Sequence, residues 1–407
     1  MRNIVIGQSG GPTAAINASL AGAYHRAKEL GFDVVYGMHH GVEGLLREDL
    51  IELEPYLDDP EDIEVLKRTP ASALGTCRYR LKDYREDDSD YRKVIEVMEK
   101  YDIEVFLYIG GNDSMDTVKE LSDYAAEHGL PQRFMGVPKT IDNDLPVTDH
   151  CPGYGSAAKY IATSLKEVMR DNNAGDVHKP TIIVAEIMGR NAGWLTAAAA
   201  LVKSGDCSGV DAIFLPEQVF DMDEFRRVVR ELGEKGKPAI IAVSEGVRVA
   251  DGRYVCELAA DVAVDAFGHK QMSGTAAYLC GLISSEFGYK TRYIEFSTLQ
   301  RAASHLASRT DIEEAFDCGV AAVNLAVEGH TGEMIVMVRD TDSPYACHME
   351  GYDIHSVANL EKGLPVEWIT ADHQMSEAYE HYARPLIQGE VLPIFVDGVP
   401  QHLLIGE

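Results

Sequence analysis

Basic residues are scarce in this chain. It has 37 Lys and Arg against 66 Asp and Glu, a formal charge of −29. That balance excludes nucleic acid and anionic membranes as general partners, because a polyanion needs a cationic surface to dock on. An anionic substrate must then be held by locally placed basic side chains. Paired cysteines are missing as well. Cys77, Cys151, Cys207, Cys256, Cys280, Cys318 and Cys347 are scattered, odd in number and free of any CxxC pair. Neither a zinc site nor a disulfide framework is indicated, and reduced thiols in a cytoplasm fit best. No apolar run reaches the ~20 residues that span a bilayer. The chain runs directly into Asn3-Ile4-Val5-Ile6 with no basic segment leading an apolar stretch, so no secretion signal is expected. Two nucleotide fingerprints are also absent. No Gly-Lys-Ser/Thr follows the first glycine-rich turn, and no GxGxxG with an acidic residue about 20 positions later is found, which argues against a nicotinamide oxidoreductase.

What is present is a long chain of 407 residues, 45% apolar and 25% charged, able to bury two cores rather than one. Short apolar runs at Ile4 to Ile6, Val105 to Ile109, Ile182 to Ile187, Ala212 to Leu215, Ala239 to Val243 and Met334 to Val338 predict buried strands. Helix-like stretches lie between them, such as Ala14 to Leu30 before Gly31 and Met115 to His128 before Gly129. This βαβ pattern predicts an α/β fold with mainly parallel sheets, whose ligands bind at the carboxyl ends of the strands.

Three loops follow apolar runs. The first, Gly7-Gln8-Ser9-Gly10-Gly11-Pro12-Thr13, opens directly into a helix, so backbone N–H groups and the helix dipole can face an anion. The second, Ile109-Gly110-Gly111-Asn112-Asp113-Ser114, does the same. A carboxylate facing phosphate is repulsive unless a cation bridges them, so Asp113 is either a partner of such a cation or an N-cap for a helix at Ser114. The third, Pro138-Lys139-Thr140-Ile141-Asp142-Asn143-Asp144, gathers a cation, a hydroxyl and two carboxylates. Phosphoryl transfer to an alcohol needs a carboxylate for the hydroxyl proton and a cation for developing charge.

Gly-Gly-Pro-Thr, Gly-Gly-Asn-Asp-Ser, Pro-Lys-Thr-Ile-Asp-Asn-Asp and Met188-Gly189-Arg190, in that order, resemble the phosphofructokinase family from residue 1 to about Arg309 and more loosely beyond. The resemblance implies two Rossmann-like lobes facing a central cleft: residues 1–153 with about 300–407 for the phosphoryl donor, and 154–299 for the sugar phosphate. It makes Asp142 the general base for the sugar 1-hydroxyl and places Gly11, Thr140, Ile141 and Asp144 at the reacting centre. Arg78, in Leu74-Gly75-Thr76-Cys77-Arg78-Tyr79, matches the arginine bridging donor and acceptor. Met188, Gly189, Arg190 and Glu245 match the sugar contacts, and Arg292, Thr298 and Arg301 match positions around the 6-phosphate. One such arginine crosses from a neighbouring subunit in the family, which implies a homo-oligomer, a dimer or tetramer. Magnesium (Mg2+) is implied as cofactor, with Asn112 and Asp113 as metal residues.

The chain departs from the family's pattern in places. Ser297-Thr298-Leu299 replaces the His or Tyr usual before Gln300-Arg301, Lys179 stands near a position where a second crossing arginine is expected, Asn112 replaces a metal-binding aspartate, and His39 replaces an adenine-stacking tyrosine. Asp113 and Lys139 occupy positions that are glycine in most ATP-dependent relatives. They resemble members that use inorganic pyrophosphate, where the carboxylate excludes ATP and the lysine neutralises a leaving phosphate. The expected activity is therefore pyrophosphate-dependent phosphorylation of fructose 6-phosphate. ATP as donor, sedoheptulose 7-phosphate as acceptor, and a non-catalytic sugar-phosphate sensor are the alternatives.

Overall fold

The computed structural model describes residues 3–176, 178–259 and 274–406. Its two main sheets are built from β1 Asn3–Gln8, β2 Val35–Met38, β3 Leu50–Glu52, β4 Ile103–Gly110, β5 Arg133–Pro138, β6 Thr181–Ile187, β7 Ala212–Phe214, β8 Ala239–Ser244, β9 Lys290–Glu295, β10 Glu333–Asp342 and β11 Tyr345–Asp353. The chain divides into two compact units: Met1–Ala157 with Arg301–Lys362 and Leu386–Glu407, and Ala158–Gln300 with Gly363–Pro385.

In the first unit the sheet runs β11-β10-β5-β4-β1-β2-β3. β10, β5, β4, β1 and β2 are parallel, and the edge strands β3 and β11 are antiparallel. Side chains alternate between the faces, and both faces are buried, which is why these strands read as continuous apolar runs. Ile4, Ile6, Val105, Leu107 and Ile109 pack with helices Ile16–Glu29 and Arg309–Glu328. Val5, Phe106, Tyr108 and Phe134 pack with helices Ser89–Lys100 and Asn112–His128. The first helix pair touches backbone to backbone. A Cβ on Gly22 would stand 2.0 Å from Phe316 O, and one on Gly319 would stand 2.1 Å from Ser19 O, so neither position admits a side chain without separating the helices.

β1, β4 and β5 lie side by side, and their carboxyl ends deliver the three loops to one edge of the sheet. The order reverses at β1, since β2 lies on one side and β4 on the other, which is where ligands bind in open parallel sheets.

The second unit has a parallel sheet of order β7-β8-β6-β9. Ile182, Val184, Ile241 and Val243 face helices Met222–Glu234 and Thr275–Phe287. The expectation that all residues after about 300 return to the first lobe is corrected for 363–385. Trp368 and Tyr382 surround Trp194 at ring separations of 6.0 and 5.2 Å, and Tyr379 donates its hydroxyl to Trp194 O at 3.3 Å. Burying this aromatic group holds the segment in the second unit.

Candidate active site

Ser9 to Ala15 turn from β1 into helix Ile16–Glu29. Gly10 takes φ +77°, which a side chain would strain. The Thr13 hydroxyl accepts the Ala15 and Ile16 N–H groups at 3.2 and 2.9 Å and so caps the helix from outside. The segment carrying Arg78 is tied to this turn: Thr76 Oγ1 donates to Gly10 O at 2.7 Å and Ser9 Oγ to Cys77 O at 3.4 Å. Arg78 itself is exposed, and among the described residues its guanidinium makes no ion pair.

After β4, helix Asn112–His128 begins with Gly111 at the cap position and no side-chain cap. Asp113 is therefore inside the first turn and exposed; it does not cap a helix at Ser114. Asn112 Oδ1 is buried without a hydrogen-bond partner, an acceptor at the head of a long helix. Among the described residues no group of three His, Cys, Asp or Glu side chains could enclose a metal.

Lys139 crosses from β5 to the first turn. It is 2% exposed, and its Nζ donates to Gly11 O at 2.7 Å. Arg301, at the start of the returning segment, brings its Nη1 to 3.6 Å from the position of a Cβ on Gly11, and its Nε is buried without a partner. This places Arg301 with Gly11 and Lys139 in the first unit, while Thr298 is exposed in the second. Burial lowers the Lys139 pKa to about 8 despite the opposing pull of Asp142 and Asp144, and Arg301 adds to the lowering. Two cationic side chains thus stand beside the first glycine turn.

The Thr140–Asp144 loop is folded onto itself. Thr140 N–H donates to Pro152 O at 3.1 Å, Asp142 N–H to Thr140 Oγ1 at 3.1 Å, and Cys151 N–H to Asn143 Oδ1 at 2.9 Å. Asn143 is fully buried with φ +55°, and Ile141 is buried. Burial, and then the charge of Asp142, push the Asp144 carboxyl up to about 7.

The outer limb of this loop carries His150. Its Nδ1 meets Asp149 Oδ2 at 2.8 Å and its Nε2 meets Glu314 Oε2 at 2.7 Å. Arg339 bonds Asp149 at 2.9 Å, and the Tyr345 hydroxyl donates to Glu314 Oε1 at 2.6 Å. Burial disfavours the imidazolium, but Glu314 and Asp149 outweigh it and raise the His150 pKa to about 9. A raised pKa stabilises the fold fully below the ordinary value of 6.5, and the contribution is lost as pH rises through about 9. Thermal unfolding between pH 6 and 10 should show this loss, and His150→Asn should flatten it. An unchanged slope in the variant would remove His150 from the account.

In the second unit β6 ends at Met188-Gly189-Arg190. Ser244, at the end of β8, donates to Gly189 O at 2.5 Å, and Glu245 N–H donates to Ile187 O at 2.9 Å, so β8 places Glu245 beside the turn. Gln300, buried, accepts the Met188 N–H at 3.3 Å and donates to Ser297 O at 3.0 Å. Arg190 is exposed, as is Lys179 ahead of β6. Arg292 is not brought to this turn. It pairs with Ile183, five residues before Met188, which is roughly 16 Å along a strand. It is exposed on edge strand β9. In the first unit, His39 pairs with Asp49 at 3.1 Å. Among the described residues no helix is long and apolar enough to cross a membrane.

Residues 3–326 match the family model described as phosphofructokinase. The chain is 41% identical to the pyrophosphate–fructose 6-phosphate 1-phosphotransferase of Methylococcus capsulatus, over 99% of this chain and 96% of that one. It is 42% identical to the protein of the same name from Halomonas elongata, over 98% and 95%. The solved pyrophosphate-dependent phosphofructokinase of Marinobacter aquaeolei superimposes with a TM-score of 0.88 at 35% identity, covering 100% of this chain and 96% of that chain.

Proposed function

The chain belongs to the phosphofructokinase family, and from that premise we propose that it transfers a phosphoryl group from inorganic pyrophosphate to the 1-hydroxyl of fructose 6-phosphate. The products are fructose 1,6-bisphosphate and phosphate. The first unit takes the diphosphate; the second, through Met188, Gly189, Arg190 and Glu245, takes the sugar phosphate. Asp142 accepts the hydroxyl proton as the sugar oxygen attacks the terminal phosphorus and the bridging P–O bond breaks. Lys139 faces the departing phosphate, Arg78 bridges donor and acceptor, and Arg301 holds phosphate oxygens.

The observation that carries the donor assignment is the buried Lys139 ammonium on Gly11 O, with Asp113 in the first turn of the next helix. Together they fill with charge the positions where most ATP-dependent relatives resemble one another in having glycine. Mg2+ fits the same place. Asn112 offers a buried, unpartnered oxygen and Asp113 a carboxylate, and this ion is commonly held by one or two carboxylates plus substrate phosphates. When bound it neutralises diphosphate charge.

A cytoplasmic location is consistent with seven unpaired cysteines. A homo-oligomer, a dimer or tetramer, would give the exposed Arg292 a sugar phosphate on a neighbouring copy. The test of function is phosphate release from pyrophosphate and from ATP, each with and without fructose 6-phosphate, and with sedoheptulose 7-phosphate as a third acceptor arm. Release from pyrophosphate that requires fructose 6-phosphate is expected. A preference for ATP would overturn the donor assignment, and release without any acceptor would overturn phosphotransfer.

A further inference from the structure

Between Asp144 and Asp149 the reacting loop makes an excursion, Leu145-Pro146-Val147-Thr148, before it returns to Asn143 through the Cys151 amide. Val147 at its tip has φ +68° and is exposed. A β-branched residue in the left-handed region is strained, and such a conformation persists only where its surroundings fix it. Three sets of contacts do so. Asp149 N–H donates to Met337 O and Met337 N–H to Thr148 Oγ1, both at 2.9 Å, which lays the far limb along β10. The His150 cluster fastens the residue after it.

The third contact is a single residue that closes the neck. Lys362 donates its backbone N–H to Asp144 O on the near limb, at 2.6 Å. Its Nζ donates to Thr148 O and Asp149 O on the far limb, both at 2.9 Å. The chain leaves the first unit immediately after it.

We propose that Lys362 is a positioning residue for phosphoryl transfer, a staple across the neck of the 144–149 excursion that sets where Asp142 and Asp144 stand. This rests on the reading of Asp142 as the base. Without the ammonium, Thr148 O and Asp149 O lose this shared donor, and the neck, still bridged by the Cys151–Asn143 bond, loosens. Asp142, two residues from the stapled carbonyl and bonded through its amide to Thr140, moves with the near limb. Gly11 and Arg301 lie on other segments, and Lys139, at the head of the same loop, is held by its own bond to Gly11 O, so these proposed contacts keep their places. Chemistry should therefore suffer more than binding.

The experiment compares the full-length protein with Lys362→Met, Lys362→Arg and Asp142→Asn, using saturation kinetics in pyrophosphate and in fructose 6-phosphate together with thermal unfolding. Lys362→Met is expected to lower kcat by about 10–100-fold, the scale of a displacement near 1 Å, and to leave both KM values within about twofold. Lys362→Arg, which keeps donors for two carbonyls, should recover most of the loss. A Lys362→Met protein with wild-type kcat overturns the proposal, as does one whose kcat and KM effects are equal and unrecovered by arginine. Should Lys362→Met fail to fold, Lys362→Gln must show the same split; if neither folds, Lys362 is a folding residue and the proposal falls. Near-normal turnover in Asp142→Asn would overturn the base itself, a result distinct from any seen at Lys362.

Discussion

Turnover with pyrophosphate and fructose 6-phosphate is expected to fall by about 10²–10⁴-fold in Asp142→Asn, while both substrates still bind. The exchange keeps shape and removes the carboxylate proposed as proton acceptor. It also withdraws the negative charge that helps hold the Asp144 carboxyl near 7, although burial, the larger cause, remains. Residual turnover in Asp142→Asn should therefore come from Asp144 and should vanish in the double Asn variant. Steady-state rates for the two single variants and the double variant check this. If Asp144→Asn collapses turnover and Asp142→Asn does not, the two carboxyls exchange roles.

The second large effect concerns the donor. Lys139→Gly removes the buried ammonium proposed as counter-charge of the leaving phosphate and should reduce pyrophosphate turnover by roughly 10²–10³-fold. Asp113→Gly should weaken pyrophosphate use and admit measurable ATP activity, most of all when Lys139→Gly opens the loop as well. Both residues face one anion in this reading, so their effects should be non-additive in a double-mutant cycle. Helix capping by Asp113 no longer competes as an explanation, because Gly111 holds that position. What remains for Asp113→Gly on the structural side is a weaker first turn, about 0.3–1 kcal/mol of stability. Rates with each donor for the wild type and three variants decide the matter. Unchanged donor preference in the double variant would return Asp113 and Lys139 to structural duty.

The parts legible in the sequence were those where backbone geometry restricts the residue type. Interior strands buried on both faces betray themselves as apolar runs, and strand-to-helix turns that need φ > 0 or a close backbone approach betray themselves as glycines. The edge strands β9 and β11 gave no such signal: β9 reads Lys-Thr-Arg-Tyr-Ile-Glu because much of it is exposed, and β11 alternates with polar residues along its open side. The three loops of the first unit were visible as motifs, and the structure brings Gly11, Lys139 and Arg301 together there. Gln300, His150 and Lys362 were not visible as supports. Their partners lie 112, 164 and 214 positions away, and no local pattern records a contact across that separation. The transfer of 363–385 to the second unit was hidden for the same reason, since Trp368 has no meaning until Trp194 is beside it.

The first unit is assembled from three stretches of sequence, and that has a consequence for the order of events during synthesis. β1, β4 and β5 emerge from the ribosome early, but β5 waits for β10, and Gly22 waits for the helix containing Phe316. Ile405 joins the same apolar cluster as Ile4 and Leu53. The nascent chain must therefore carry an unfinished sheet, with an apolar face uncovered, until almost all 407 residues have been made. In the second unit, by contrast, β6 to β9 are contiguous in sequence and can pair as soon as β9 appears. The half of the molecule that is translated first is thus the half that finishes folding last, and it is the one exposed longest to aggregation and to chaperones.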